Sequence, residues 1–455
     1  MKLSLHEVAE VVGARNDVTA FPDVALGNIE FDSRKIQVGD IFLPLRGERD
    51  GHDFIDTAFE NGAVATLSEV DLGDRPHILV YDCLKSLQKL AKYHLEKMPA
   101  KVIAVTGSNG KTTTKDMIFD ILSTTYPTYK TQGNYNNEIG LPYTALHMPE
   151  DTEMLVLEMG QDHLGDIHLL STIAKPAIGV VTLIGEAHLE FFGTRNKIAQ
   201  GKLQIADGMP QGGLLVAPAD TIVDAFLPKQ QEVVRFGEGA GLVVSDLVEY
   251  KDHLTFKTNF LENEIYLPVT GKYNAINAMV AAYVGQQLGV ADQDIYQALA
   301  HLQLTKNRTE WKKAHNGADI LSDVYNANPT AMKLILETFS SIPANESGKK
   351  IAVLADMKEL GKQSVALHNQ IVMSLSPEAL DTVIFYGQDI EHLAQLSSQM
   401  FPIGKVYFFK KNDQEDQFEE LYRQIKSVLQ PQDQILLKGS NSMKLGEIVA
   451  RLEQE

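Results

Sequence analysis

One cysteine, Cys83, stands in 455 residues, so the chain can form neither an internal disulfide nor a multi-thiolate metal site. A reducing compartment is the economical setting, and the expected location is the cytoplasm. Basic residues are in deficit, 41 Lys and Arg against 60 Asp and Glu, and the formal charge of −19 repels phosphate backbones and anionic lipid. Nucleic acid is therefore excluded as the expected partner. No stretch approaches the ~18 uninterrupted apolar residues of a membrane-crossing helix. The first residues, MKLSLHEVAEVVGA, suit an amphipathic helix and lack the long apolar centre of a signal peptide. A GxGxxG fingerprint is missing, which removes support for nicotinamide binding, and none of the 13 histidines forms an HExxH zinc pattern.

What is present is ordinary globular composition, 44% hydrophobic and 22% charged, over a length that calls for several cores. Three blocks follow, and the expected fold class is α/β throughout. Residues 1–97 read as a small α+β domain, with short strands at Ile41 to Leu45, Ala63 to Leu67 and His77 to Val80, closing near Met98 and Pro99. Residues 98–305 alternate strand and helix in the manner of a mostly parallel sheet: Val102 to Val105, Met154 to Leu157, Ile178 to Leu183 and Leu214 to Val216. A looser alternation from Leu242 to Val269 reads as an antiparallel edge, and Asn274 to Gly289 as a helix. Residues 306–455 carry four more apolar runs, beginning at Ile351, Thr382, Val406 and Gln434, with helix-length spacers. They predict a smaller, Rossmann-like open α/β sheet.

The sharpest local signal is AVTGSNGKTTTKD, Ala104 to Asp116. Gly107 and Gly110 let successive backbone N–H groups turn toward one anion, and the helix that starts near Lys111 offers it a positive end. Lys111 is placed to reach the outer phosphates and the Thr112 hydroxyl to ligate Mg²⁺. Val105 stands where the strict Walker pattern has its first glycine, so this is a variant phosphate loop. Glu158 ends the apolar strand LVLE, where enzymes with such loops hold their metal. His188 and Glu190 follow another strand.

TGSNGKTT, EMG, GEAHL, GKYNAINA and DVYNANPTAMK stand in the order and spacing of the ATP-dependent Mur ligases of peptidoglycan synthesis, and the resemblance covers essentially the whole chain. Tyr325 to Thr330, Asn136 to Pro142 and Phe31 to Phe42 resemble the branch that joins D-alanyl-D-alanine to UDP-N-acetylmuramoyl-tripeptide. The DYAHTPD and DNPR stretches of the ligase that adds the third amino acid are absent. Another Mur-type or folylpolyglutamate-type ligase is the alternative, though the latter shares neither DSRK nor YNANPT.

The resemblance implies an acyl-phosphate mechanism: the peptide carboxylate attacks the γ-phosphate of ATP, ADP leaves, and the dipeptide amine displaces phosphate. It implies that Gly107, Ser108, Asn109, Gly110, Lys111, Thr112 and Thr113 hold the phosphates. Asn274 and Asn277 lie against adenine, or form a capping pair. Arg308 and Asp323 reach phosphates and ribose when the C-terminal domain closes, a role compatible with an interdomain salt bridge. Two Mg²⁺ are expected, held among Thr112, Glu158, His188 and Lys202, the last as its carbamate; Lys197 is the nearby alternative. Ser33, Arg34 and His52 belong to the uridine diphosphate end, and Asn136 and Asn137 to the muramoyl or phosphate portion. Asn326, Asn328 and Thr330 serve the nucleotide or the incoming dipeptide. A monomer is expected. Three positions depart from the family's pattern: Leu183 for Asn, Ala355 for Gly, and Asn441 for an Arg whose anion contact Lys438 or Lys444 would have to supply.

Overall fold

The computed structural model describes residues 3–302 and 308–455, so the expected boundary at 305/306 lies outside the described residues. The chain opens with the helix Leu5–Val12, capped by the Ser4 hydroxyl, which accepts from the Glu7 N–H, and stopped by Gly13 at φ +75°. Strands Ile29–Glu30, Ile41–Phe42, Ala65–Ser68 and His77–Leu79 then form a four-stranded sheet, all parallel and in chain order. Strands of two to four residues are too short for alternation to reveal direction. Helix Cys83–Lys97 follows, burying Leu87, Leu90 and Ala91.

The central sheet has six parallel strands in the spatial order Glu232–Phe236, Leu214–Pro218, Ile178–Val181, Lys101–Thr106, Met154–Glu158, Thr128–Lys130. Lys101–Thr106 lies between the strands at 154 and 178, so the strand order reverses at its C-terminal end. That is the switch point where open α/β sheets bind ligands. The middle strands are apolar between their ends because helices cover both faces. Lys111–Ser123 and Lys272–Gln287 pack together on one face, burying Ile118 and Ile121 with Ala278 and Ala281.

The stretch from Leu242 to Val269 is not an edge of this sheet. It forms a separate antiparallel sheet of Val244–Glu249, Leu254–Thr258 and Ile265–Leu267, joined to the large one by a single bridge between Phe236 and Leu242. Leu254, Phe256, Ile265 and Leu267 are fully buried while Lys257 and Tyr266 face solvent. One wet and one packed face is what an antiparallel ribbon tolerates and a doubly covered parallel sheet does not.

The C-terminal sheet runs Glu310–Lys313, Asp319–Asp323, Gln434–Lys438, Lys350–Ala355, Thr382–Gly387, Val406–Lys410, with only the first strand antiparallel. Glu310–Lys313 is a charged edge strand, invisible to a search for apolar runs. No helix of the described residues is long and apolar enough to cross a membrane.

Candidate active site

A cavity of about 670 Å³ opens at the C-terminal ends of the central strands and faces the C-terminal sheet. Its floor is the phosphate loop. Gly107 turns at φ +147° beneath Thr182, so close that a Cβ would lie 1.9 Å from the Thr182 hydroxyl. Gly110, at φ +84°, begins helix Lys111–Ser123, and a Cβ there would meet the Asn277 amide at 2.8 Å. The backbone thus follows a path open to glycine alone. Lys111 curls back so that Nζ donates to the Gly107 carbonyl at 2.9 Å. Burial pushes its amine below the usual lysine range, with the Glu158 carboxylate opposing.

Glu158, 2% exposed, ties the loop to its neighbours. Oε2 accepts from the Thr112 hydroxyl at 2.8 Å, and Oε1 accepts from the Asn136 amide at 2.8 Å. Asn136 is therefore bonded to the expected metal carboxylate, and with Asn137 it lines the same cavity. His188 lines it too, held in the left-handed region at φ +60°. Lys202 is 1% exposed, and no described residue gives it a hydrogen bond or ion pair. Burial and then the Lys111 charge hold its amine well below the usual range, so it is biased toward the neutral form. Lys197, by contrast, is exposed.

Asn274 and Asn277 sit at i and i+3 of helix Lys272–Gln287. The Asn274 amide donates to the Thr270 carbonyl at 2.7 Å, which satisfies it locally, while Asn277 also borders a second, apolar cavity of about 280 Å³ beside the loop. Leu183, Ala219, Phe236, Ile276 and Val280 line that cavity. Leu183 meets the loop through its backbone, its carbonyl accepting from the Ser108 N–H at 2.7 Å, while it lines the apolar cavity.

From the C-terminal side come Arg308, Asp323 and Asn326. Arg308 lies 4.1 Å over the Tyr325 ring with Nε buried and without a hydrogen bond. It does not pair with Asp323, which instead accepts from Lys438 Nζ at 2.7 Å. Lys438 is thereby committed within its own sheet, and Lys444 pairs with Glu447 at 3.8 Å. Asn328 and Thr330 serve the junction. The Asn109 and Asn328 amides exchange hydrogen bonds of 3.2 and 2.8 Å, and Glu186 accepts from both the Thr330 hydroxyl and its N–H, at 2.7 and 3.1 Å. Ser33, Arg34 and His52 do not line this cavity. Arg34 is bidentate to Asp32, and both His52 ring nitrogens are engaged, by Asp50 and by the Glu69 N–H.

Sequence reasoning missed Gln161 and Asp162, which line the cavity three and four residues beyond Glu158 of EMG, and Glu359, whose carboxylate approaches His188. A phosphate loop at a sheet's switch point, faced by a second α/β sheet that adds an arginine with a buried Nε free of hydrogen bonds, is the architecture of a nucleotide-dependent enzyme. The chain belongs to the Mur ligase family. Residues 105–285 match the Mur ligase middle domain and 307–441 the Mur ligase glutamate ligase domain. The UDP-N-acetylmuramoyl-tripeptide–D-alanyl-D-alanine ligase of Bacillus subtilis is 37% identical over 99% of this chain and 98% of its own length, and that of Escherichia coli 31% over 95% of each. Among solved structures, MurF from Acinetobacter baumannii superposes with a TM-score of 0.89 at 28% identity, covering 100% of this chain and 99% of its own. MurF from Thermotoga maritima in complex with ADP gives 0.80 at 30%, covering 97% and 99%.

Proposed function

We propose that the chain joins D-alanyl-D-alanine to UDP-N-acetylmuramoyl-tripeptide with cleavage of ATP to ADP and phosphate, through an acyl phosphate. The observation that carries the reading is the single cavity in which the Lys111 loop, Glu158 and the C-terminal Arg308 converge. Residues 1–97 hold the uridine diphosphate end through Ser33, Arg34 and His52, 98–305 bind ATP, and 306–455 close on it and receive the dipeptide near Asn326, Asn328 and Thr330.

The apolar 280 Å³ cavity beside Asn277 suits a purine, with Asn277 supplying polarity at its edge. The triphosphate then runs along the loop N–H groups toward Lys111. Arg308, with a buried Nε lacking a partner, gains an anion. A carboxylate resists an amine because of its charge, so its oxygen first attacks the γ-phosphorus and the bond to ADP breaks. Lys111 leaves the Gly107 carbonyl to offset charge on the group in flight. The amine next adds to the acyl carbon, loses a proton, and phosphate departs with its bonding electrons.

The donor set suits Mg²⁺: a Thr112 hydroxyl already on the Glu158 carboxylate, an imidazole at His188, and at Lys202 an unpaired buried amine, the form that captures CO₂ as an anionic carbamate. No three acidic, imidazole or thiol side chains form a ready cage among the described residues, as expected where phosphates and water complete the shell. Bound there, Mg²⁺ neutralises phosphate charge and aligns the transfer. The chain acts in the cytoplasm, as a monomer with every one of these groups on one polypeptide.

An ADP-release assay omitting each substrate in turn tests the assignment. Turnover should require ATP, the muramoyl tripeptide and D-alanyl-D-alanine together, with the pentapeptide identified by mass. Equal ADP release with a different amine acceptor would reject it.

A further inference from the structure

Two strained residues meet where the central and C-terminal sheets touch. His188 is held at φ +60° and Glu359 at φ +64°, a region that favours glycine. The outlier at Glu359 is fixed from three sides. Its carbonyl accepts from the Glu190 N–H at 2.8 Å, the preceding Lys358 N–H donates to Ser440 Oγ at 2.9 Å, and a Cβ on Gly361 would lie 3.2 Å from the Glu190 backbone. Strain that the surroundings over-determine at a junction beside a reactive cavity is the kind that serves a function.

Glu359 Oε2 lies 2.7 Å from His188 Nδ1, and Asp162 Oδ1 stands on the same nitrogen at 3.3 Å. Nδ1 is closed off from solvent, and neither carboxylate lies along a formed ring N–H hydrogen bond. The pairing is electrostatic, and a small turn of the imidazole would complete it. With Nδ1 occupied in this way, Nε2 is the ring nitrogen left for the cavity that His188 lines. Asp162 belongs to the central domain's side of the site, whereas Glu359 follows strand Lys350–Ala355 of the C-terminal sheet.

We propose that Glu359 is a positioning residue: carried in by the C-terminal sheet, its carboxylate fixes the orientation and tautomer of His188, so that domain docking finishes the metal side of the site. The inference rests on the proposed role of His188 toward Mg²⁺. A carboxylate behind a ligating histidine sets which nitrogen keeps its proton and how the ring is aimed.

The test uses the full chain with Mn²⁺ as the probe, its binding read by electron paramagnetic resonance in the presence of ADP. Glu359→Gly removes the carboxylate while suiting φ +64°, so thermal unfolding should not fall; Glu359→Gln keeps the shape. Each should weaken Mn²⁺ binding about tenfold or more. In metal-free, ¹⁵N-histidine-labelled protein, the His188 signal, identified by its loss in His188→Ala, should move from the Nδ1-protonated tautomer toward a mixture. If His188→Ala loses Mn²⁺ affinity but the Glu359 variants change neither affinity nor tautomer, or only one of them, the inference is overturned and the reading of His188 stands. If His188→Ala leaves Mn²⁺ binding intact, both fall.

Discussion

Two lysines, half-buried Lys111 and fully buried Lys202, are assigned opposite tasks by their contacts. Lys111 donates to the Gly107 carbonyl, a contact it can exchange for a phosphate; Lys202 has no hydrogen bond among the described residues, and burial with the Lys111 charge outweighs the carboxylates of Asp162 and Glu158, so its amine drifts toward neutrality. Replacing Lys111 by Ala should lower kcat/KM at least about a hundredfold, the scale of removing one preorganised charge-stabilising donor, as steady-state kinetics would show. Lys202→Ala should lose activity that short-chain carboxylic acids partly restore, while Lys197→Ala, at an exposed position, should behave as the parent. Full activity of Lys202→Ala without any added acid would discard the carbamate.

At the scale of elements, the phosphate loop depends on glycine as much as on lysine. Gly107→Ala sets a methyl against Thr182 and should cost about 2 kcal/mol or more of stability, read by denaturant unfolding, with loss of nucleotide binding. A second element effect concerns Lys350, 4% exposed, whose Nζ donates to the Ser340 and Ile342 carbonyls at the end of helix Pro329–Ser341. Burial pushes its pKa down to about 8. Between that value and the ordinary lysine range the unfolded chain binds more protons than the folded one, so stability rises with pH through this window. The penalty for charging Lys350 is complete below pH 8. Relative to Lys350→Met, the parent should therefore gain about 2–3 kcal/mol between pH 7 and 10, measured by parallel denaturation.

The loop was legible in the sequence because its logic is local: strand, two glycines, Lys and Thr lie within a dozen residues. So were the apolar central strands. What escaped was set by contacts distant in sequence. Glu359 approaches His188 from another sheet, and the Asn109 and Asn328 pair spans 219 residues. The ribbon at 244–267 was misplaced because alternation shows that one face is wet, not which sheet it joins. Thr128–Lys130 and Glu310–Lys313 are edge strands with little apolar character to betray them.

At the scale of the whole molecule, small polar contacts join the C-terminal domain to the centre beside an apolar cluster that runs through both. Besides Asn109 with Asn328 and Glu186 with Thr330, Lys251 reaches Asp319 at 2.5 Å and Asn345 at 3.1 Å, and Glu249 accepts from Ser341 at 3.0 Å. The proposed function predicts that this junction opens to admit substrates and closes to expel water before an acyl phosphate forms. Lys251→Ala should loosen the junction, and small-angle scattering should report a larger radius of gyration that contracts on adding nucleotide with the UDP-linked substrate. No expansion would show that this latch bears no load.

The most direct test follows one oxygen. With the tripeptide's terminal carboxylate labelled in oxygen-18, complete turnover should deliver one labelled oxygen into each inorganic phosphate released, because one carboxylate oxygen attacks the γ-phosphorus and stays on it when the acyl carbon–oxygen bond breaks. Unlabelled phosphate accompanying product would mean that the carboxylate never received the phosphoryl group, and would contradict the account.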